Sequence, residues 1–247
     1  ATFMPHIEFN FAFFFIITGV LGTTISPFMF FWQASEEVEE EIDKGKTTLR
    51  SREGVTRKEL KEMRIDVWSG MFLSNAVMFF IIAACAGVLF THGITTITSA
   101  AEAAEALRPF AGDSTYFLFA IGIIGTGLLA IPVLAGSAAY ALSESFGWKA
   151  GLSKSLKQAH AFYGVIILSM FMGLVMNFIG LDPIKALIYS AVLNGLVAPV
   201  ALTLILLLSS NKKIMGVHAN GTLGNLIGWL VVFLMTVAGL AALYSFF

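Results

Sequence analysis

Six stretches of this chain each run for 18 or more residues without one Asp, Glu, Lys or Arg, and no other feature constrains the fold as tightly. They are Phe11 to Trp32, Val67 to Phe90, Tyr116 to Leu142, Phe162 to Ile179, Ala186 to Leu208 and Leu223 to Phe247. A hydrocarbon core about 30 Å thick takes roughly 20 apolar residues of helix to cross. Inside it every backbone N–H and C=O must be paired within the protein, which a helix achieves within one segment and an open strand edge does not. The blocks are apolar throughout rather than at helical or strand spacing, so each is predicted to be a transmembrane helix. The expected fold class is an all-α membrane protein, with 1–247 a single transmembrane domain of six helices. Composition agrees: 57% of residues are hydrophobic and only 13% charged, against about 25% charged in soluble domains.

Basic residues set the orientation. All Lys and Arg except Arg108 and Lys185 fall in the loops after the first, third and fifth blocks. Loops 36–66, 144–159 and 209–221 are therefore expected in the cytoplasm, with both ends of the chain outside. The chain starts at Ala1, a few residues ahead of a helix, with no initiator methionine. The expectation is a fragment of a longer protein, with an odd number of helices upstream. No cleavable signal peptide is expected, because the first block is too long and no basic region precedes it.

The one long polar stretch, Glu36 to Asp66, opens with Glu36, Glu37, Glu39, Glu40 and Glu41 and then turns basic. It reads as a solvated cytoplasmic hairpin, or as an acidic mouth that gathers cations. Thr56 is expected to cap an interfacial helix, Ala100 to Leu107 to form a short surface helix, and Asp182 to cap the fifth span with Pro183 in its first turn. The single cysteine, Cys85, has no disulfide partner and reads as a small packing residue.

Polar chemistry inside the spans is concentrated where glycine and proline interrupt them. The first block contains Gly19, Gly22, Thr23, Thr24, Ile25, Ser26 and Pro27. Pro27 has no N–H, and its ring clashes with the carbonyl of Thr23, four residues back. A carbonyl deprived of its donor in a membrane must face protein, water or an ion. With the hydroxyls of Thr23, Thr24 and Ser26 beside it, the break offers oxygen ligands suited to a hard cation. The fifth block repeats the pattern with Asn194, Gly195 and Pro199. The candidate metal ligands are Thr23, Ser26 and Asn194, and the candidate helix breaks are Gly22, Pro27, Gly195 and Pro199. Each has a plainer reading: a proline kink that binds nothing, or, for Asn194 as for Asn75 and Asn177, an interhelical hydrogen bond. In the third block, Gly122, Gly125, Thr126, Gly127, Pro132 and Gly136 point first to close helix packing.

No carboxylate or histidine lies deep in a span, so no proton relay is read there. His6, His92, His160 and His218 sit in loops or at helix ends, too scattered for a metal site. No Ser/His/Asp set, phosphate-binding loop or cysteine metal motif occurs, and the chain is not expected to be an enzyme.

The run Gly22-Thr23-Thr24-Ile25-Ser26-Pro27-Phe28-Met29-Phe30-Phe31-Trp32-Gln33 resembles the sixth helix of the Nramp family of divalent-metal transporters, and more closely a bacterial Nramp-related branch. Gly122 to Tyr140, Ala161 to Asn177 and Asp182 to Asn194 extend the resemblance over nearly the whole chain. The resemblance implies that these are helices six to eleven of a fold with two inverted five-helix repeats, the LeuT-like architecture of the APC superfamily. Five helices would then be missing. It implies a metal site between an unwound first helix, carrying Asp-Pro-Gly-Asn and lying outside this chain, and the unwound sixth. Where typical members have Ala-x-x-Met-Pro-His, this chain has Thr23, Ser26 and Phe28 at the Ala, Met and His positions. A hydroxyl in place of a thioether favours Mg²⁺ or Mn²⁺ over iron, and Phe28 removes an imidazole that could take part in proton coupling. Met4-Pro5-His6 resembles the family motif but precedes the helix and is read as coincidence.

The function expected is a secondary transporter of divalent cations working by alternating access in a bacterial inner membrane. Its partners would be the lipid bilayer, a divalent metal ion and the N-terminal half of the same transporter, with no nucleic acid and no cofactor beyond the transported cation. The alternatives are a non-transporting sensor or assembly subunit of the same fold, and an amino acid transporter of the same superfamily.

Overall fold

Apolar blocks free of charge become helices, and the computed structural model is helical throughout, with no strand among the residues it describes. These are 10–94, 97, 99–112 and 114–244, with the side chains of Phe11, Leu107, Phe110 and Ala111 left aside. His6, the Met4-Pro5-His6 run and the last three residues of the sixth block lie outside them. The helices are α1 (Phe11–Ile25), α2 (Phe28–Asp43), α3 (Arg57–Ala84), α4 (Ala100–Ala111), α5 (Thr115–Phe146), α6 (His160–Met176), α7 (Pro183–Ser210), the short α8 (Lys212–Met215) and α9 (Thr222–Tyr244). Among the described residues, five stretches are long and apolar enough to cross a membrane: Ala12–Asp43, Arg57–His92, Thr115–Phe146, Pro183–Ser210 and Thr222–Tyr244. The sixth apolar helix, α6, has 17 residues, about 25 Å at 1.5 Å per residue. The protein is an integral membrane protein.

Several boundaries differ from those read off hydropathy, for physical reasons. The first predicted span, Phe11 to Trp32, is two helices, because Ser26 and Pro27 interrupt it. The acidic run Glu36 to Glu41 is not loop but the continuation of α2. Glutamate is a good helix former, and salt bridges Lys44–Glu40 and Lys46–Glu41, each 3.0 Å, accompany the helix end. The loop predicted over 36–66 shrinks to 44–56. Thr56 does cap a helix, in a capping box with Glu59. That helix does not stop at the interface but runs on as α3 through the second span. It ends in a π turn, Cys85–Leu89, then a 3₁₀ turn to His92. Cys85 is exposed there, not packed as expected. α6 stops at Met176, short of the predicted Ile179, as the chain tightens with the Asn177 N–H on the Leu174 carbonyl. Asp182 caps α7 as expected, its carboxylate accepting from the N–H groups of Ile184 and Lys185.

The described residues divide into two compact units: one takes those up to 33, 134–150 and those from 160 on; the other takes 34–133 and 151–159. The centre of the first is a packing of α1, α7 and α9. Its buried positions recur at helical spacing: Thr18, Gly19 and Gly22 on α1, Ala191, Gly195 and Ala198 on α7, Val232, Met235, Gly239 and Ala242 on α9. Most are small, as expected where lipid supplies no hydrophobic drive and contact comes from close approach, though Val192, Leu206, Val232 and Met235 are buried there too. The approach is closest at Gly22 and Gly195. A Cβ on Gly22 would fall on the Ala191 carbonyl oxygen and the Gly195 nitrogen, and lie 2.7 Å from the Gly195 Cα. A Cβ on Gly195 would fall on the Thr18 carbonyl oxygen. Thr18 itself is buried, and its hydroxyl donates to the Ala238 carbonyl of α9 at 3.0 Å. In the second unit, the Glu39 carboxylate on α2 accepts from the N–H groups of Leu152 (3.1 Å) and Ser153 (3.2 Å).

Backbone resting on backbone leaves no side chain to yield. Gly22→Ala is expected to destabilise the complete protein by about 1–3 kcal/mol or more through overpacking. Gly228→Ala is the comparison: its Cβ would meet only the end of the Leu206 side chain, at 2.6 Å, which can rotate away. Thermal denaturation of the two variants in detergent should show the larger loss for Gly22→Ala.

Candidate functional site

The α1–α2 break is built by two residues. Pro27 cannot continue the hydrogen-bond ladder, and a residue before proline is pushed out of the helical region. Ser26 takes the left-handed conformation, φ 45° and ψ 69°, and is the one non-glycine residue with positive φ among those described. Its N–H still closes α1 onto the Gly22 carbonyl at 2.9 Å. α2 then restarts tightly, with the Met29 N–H on the Ser26 carbonyl (2.9 Å) and the Phe30 N–H on that of Pro27 (3.2 Å). A non-glycine residue held in this region costs of order 1–3 kcal/mol and is found most often at functional sites.

The Thr23 carbonyl, freed by Pro27, does not stand alone: the Ser26 hydroxyl donates to it at 2.6 Å. The serine replaces the donor that the proline removed. The hydroxyls of Thr23 and Thr24 both donate to the Val20 carbonyl, at 2.9 and 2.8 Å. Each hydroxyl therefore spends its hydrogen on backbone and keeps acceptor lone pairs for another partner. The break is also the C-terminal end of α1, where the aligned peptide dipoles favour a cation. Thr23 is exposed and Ser26 half-buried, so neither oxygen is sealed within this chain.

The structure thus joins Thr23 and Ser26 but not Asn194. Asn194 is half-buried on α7, beside Gly195 of the close approach, and its side chain makes no hydrogen bond among the described residues. Asn75 and Asn177, the other deep asparagines, bond back to their own helices, to the carbonyls of Met71 (2.7 Å) and Gly173 (3.4 Å). The break expected at Gly195 and Pro199 is absent. α7 runs unbroken from Pro183 to Ser210, with Pro199 inside it and Gly195 serving the contact with α1. Likewise α5 runs unbroken through Pro132. No group of three or more His, Cys, Asp or Glu side chains placed to hold a metal occurs among the described residues.

Sequence reasoning missed two features here. One is the left-handed Ser26, since a place before proline points to extended rather than left-handed backbone. The other is the seat of α2 on α5, where the Ser137 hydroxyl donates to the Phe28 carbonyl. The string Ala135, Gly136, Ser137 signals close packing but not its partner.

The family model of the natural resistance-associated macrophage protein-like family, Nramp, matches residues 1–245. Among curated relatives, proteins named divalent metal cation transporter MntH are similar to this chain. That of Caldanaerobacter subterraneus subsp. tengcongensis is 29% identical, over 97% of this chain and 52% of the relative. That of Clostridium acetobutylicum is 25% identical, over 94% and 50%. That of Deinococcus radiodurans is 22% identical, over 88% and 46%. The chain spans about half the length of the curated relatives it matches.

The left-handed backbone at Ser26 separates the cost of conformation from the loss of the hydroxyl. Both Ser26→Gly and Ser26→Val remove the donor to Thr23, but only valine is strained there. Ser26→Val is expected to be less stable than Ser26→Gly by about 1–2 kcal/mol, read as the difference in thermal midpoint of the two purified variants.

Proposed function

This chain belongs to the Nramp family, and from that premise we propose that it is the second half of a secondary transporter for divalent metal cations. The observation that carries the proposal is the Ser26–Pro27 break. It gathers the Thr23 carbonyl and the Ser26 hydroxyl at the C-terminal end of a half-helix. Discontinuous helices at the membrane midplane, with unwound carbonyls and half-helix C-termini turned toward the ion, are the usual coordination device of such transporters. The name that the curated relatives carry, divalent metal cation transporter, supports the same reading.

In this proposal Thr23 contributes its carbonyl oxygen, Ser26 its hydroxyl oxygen and Asn194 its amide oxygen. The remaining ligands come from the upstream half, from its own broken helix. With no cation bound, the Ser26 hydroxyl satisfies the Thr23 carbonyl. When a cation arrives, it takes lone pairs on both oxygens, and the hydrogen bond is kept or exchanged at little cost. All three oxygens are hard donors, which favours Mn²⁺ and Mg²⁺ over softer ions. Transport proceeds by alternating access, with the break fixed near the middle of the bacterial plasma membrane.

Selectivity tests the ligand assignment. In the complete protein, Ser26→Met places a soft thioether beside the Thr23 carbonyl. It is expected to raise the ratio of Cd²⁺ to Mn²⁺ uptake by about tenfold and to weaken Mg²⁺ competition. Uptake into proteoliposomes measures this; an unchanged ratio removes Ser26 from the ligand set.

A further inference from the structure

Transport of this kind needs the two sides of the break held in register, and α1 is fixed by its contact with α7. The structure also carries a specific seat for α2. Phe28 and Trp32 are four residues apart and share one face of that helix. Both meet α5 at Gly136, Ser137 and Tyr140, Phe28 through its backbone carbonyl and Trp32 through its ring. The Ser137 side chain is 1% exposed, and its hydroxyl donates to the Phe28 carbonyl. That carbonyl belongs to the first residue of α2, directly after Pro27. A Cβ on Gly136 would fall on the Trp32 ring, with Cε3 at 3.1 Å and Cη2 at 3.2 Å. The indole then meets Tyr140 edge-on, with ring centroids 5.8 Å apart, and Tyr140 lies 4.8 Å from Phe162 of α6. Tyr140 is 2% exposed and Phe162 fully buried.

We propose that Gly136 and Ser137 of α5 are positioning residues for the ion site: they fix where α2 begins and thereby the placement of Ser26 and Pro27. The inference rests on the transport function proposed above. Neither residue touches the ion. Ser137 holds the first carbonyl of α2, two residues from the candidate ligand Ser26, and Gly136 provides the flat backbone on which Trp32 sits. Ligand distances at a metal site are useful only within about 0.2 Å, so a helix start that slips by a fraction of an ångström changes affinity before it changes the fold. Buried polar anchoring also explains why a hydroxyl lies in an otherwise apolar contact: a carbonyl has two lone pairs, and Ser137 fills one that the α2 ladder leaves open.

The test uses the complete protein in proteoliposomes, with Mn²⁺ as the probe and uptake normalised to protein incorporated. Ser137→Ala is expected to raise the KM for Mn²⁺ about threefold or more while Vmax stays within about twofold, the pattern of lost ground-state positioning. Gly136→Ala is expected to lower Vmax/KM about tenfold, and Trp32→Leu in the same protein to restore most of it by clearing the ring from the added methyl. A wild-type KM in Ser137→Ala overturns the proposal, as does a Gly136→Ala defect that Trp32→Leu leaves in place. If the unmutated protein takes up no Mn²⁺, the transport reading itself fails, and the positioning role fails with it. Uptake by the unmutated protein with indifferent variants refutes the positioning role alone.

Discussion

A carbonyl oxygen in hydrocarbon must have a partner, and at Thr23 the sequence has removed the usual one. Pro27 supplies no N–H, so the ladder that would carry α1 into α2 stops. The residues at the break compensate for that interruption. Ser26 turns into the left-handed region so that its side chain can donate where the proline cannot. The result is a helix break whose freed Thr23 carbonyl keeps a partner and which still presents oxygen lone pairs. An ion site that left bare carbonyls in the membrane between cycles would cost several kcal/mol for each.

Two contacts keep the halves of the broken helix in place. On the α1 side, Gly22 rests on the α7 backbone at Ala191 and Gly195, with no room for a methyl group. On the α2 side, Ser137 and Gly136 receive Phe28 and Trp32. Small residues serve both contacts, but differently. The first brings two backbones together through van der Waals contact, and the second joins a hydrogen bond to an aromatic edge. Thr18, bonded to the Ala238 carbonyl, ties α9 to the same α1 turn region.

Much of this was legible in the sequence, and the limits of legibility have physical causes. The spans could be read because charge is excluded from them, and the caps at Thr56 and Asp182 because their side chains fit the orphan N–H groups of a helix start. Where the helices end could not be read from hydropathy. Glu36 to Glu41 leave the apolar phase but not the helix, since glutamate is compatible with one and not the other. Three prolines, Pro27, Pro132 and Pro199, look equivalent on paper, yet only Pro27 breaks its helix. Pro199 lies in a helix whose buried face is gripped by α1 and α9, so the helix continues across one missing bond. The oxygen donors were visible at Thr23 and Ser26, but not that they bond to each other, because that depends on a left-handed backbone at a single residue. The seat of α2 on α5 joins residues more than a hundred positions apart, a distance over which one sequence holds no signal.

The central claim is that the Ser26–Pro27 break is half of a cation site. The most direct measurement is a crystal structure of the complete protein soaked in Mn²⁺, with anomalous scattering used to locate the metal. A peak within coordination distance of the Thr23 carbonyl and Ser26 hydroxyl oxygens is the expected result. A peak elsewhere in the membrane, with the Thr23–Ser26 hydrogen bond undisturbed and no metal at the break, would contradict it.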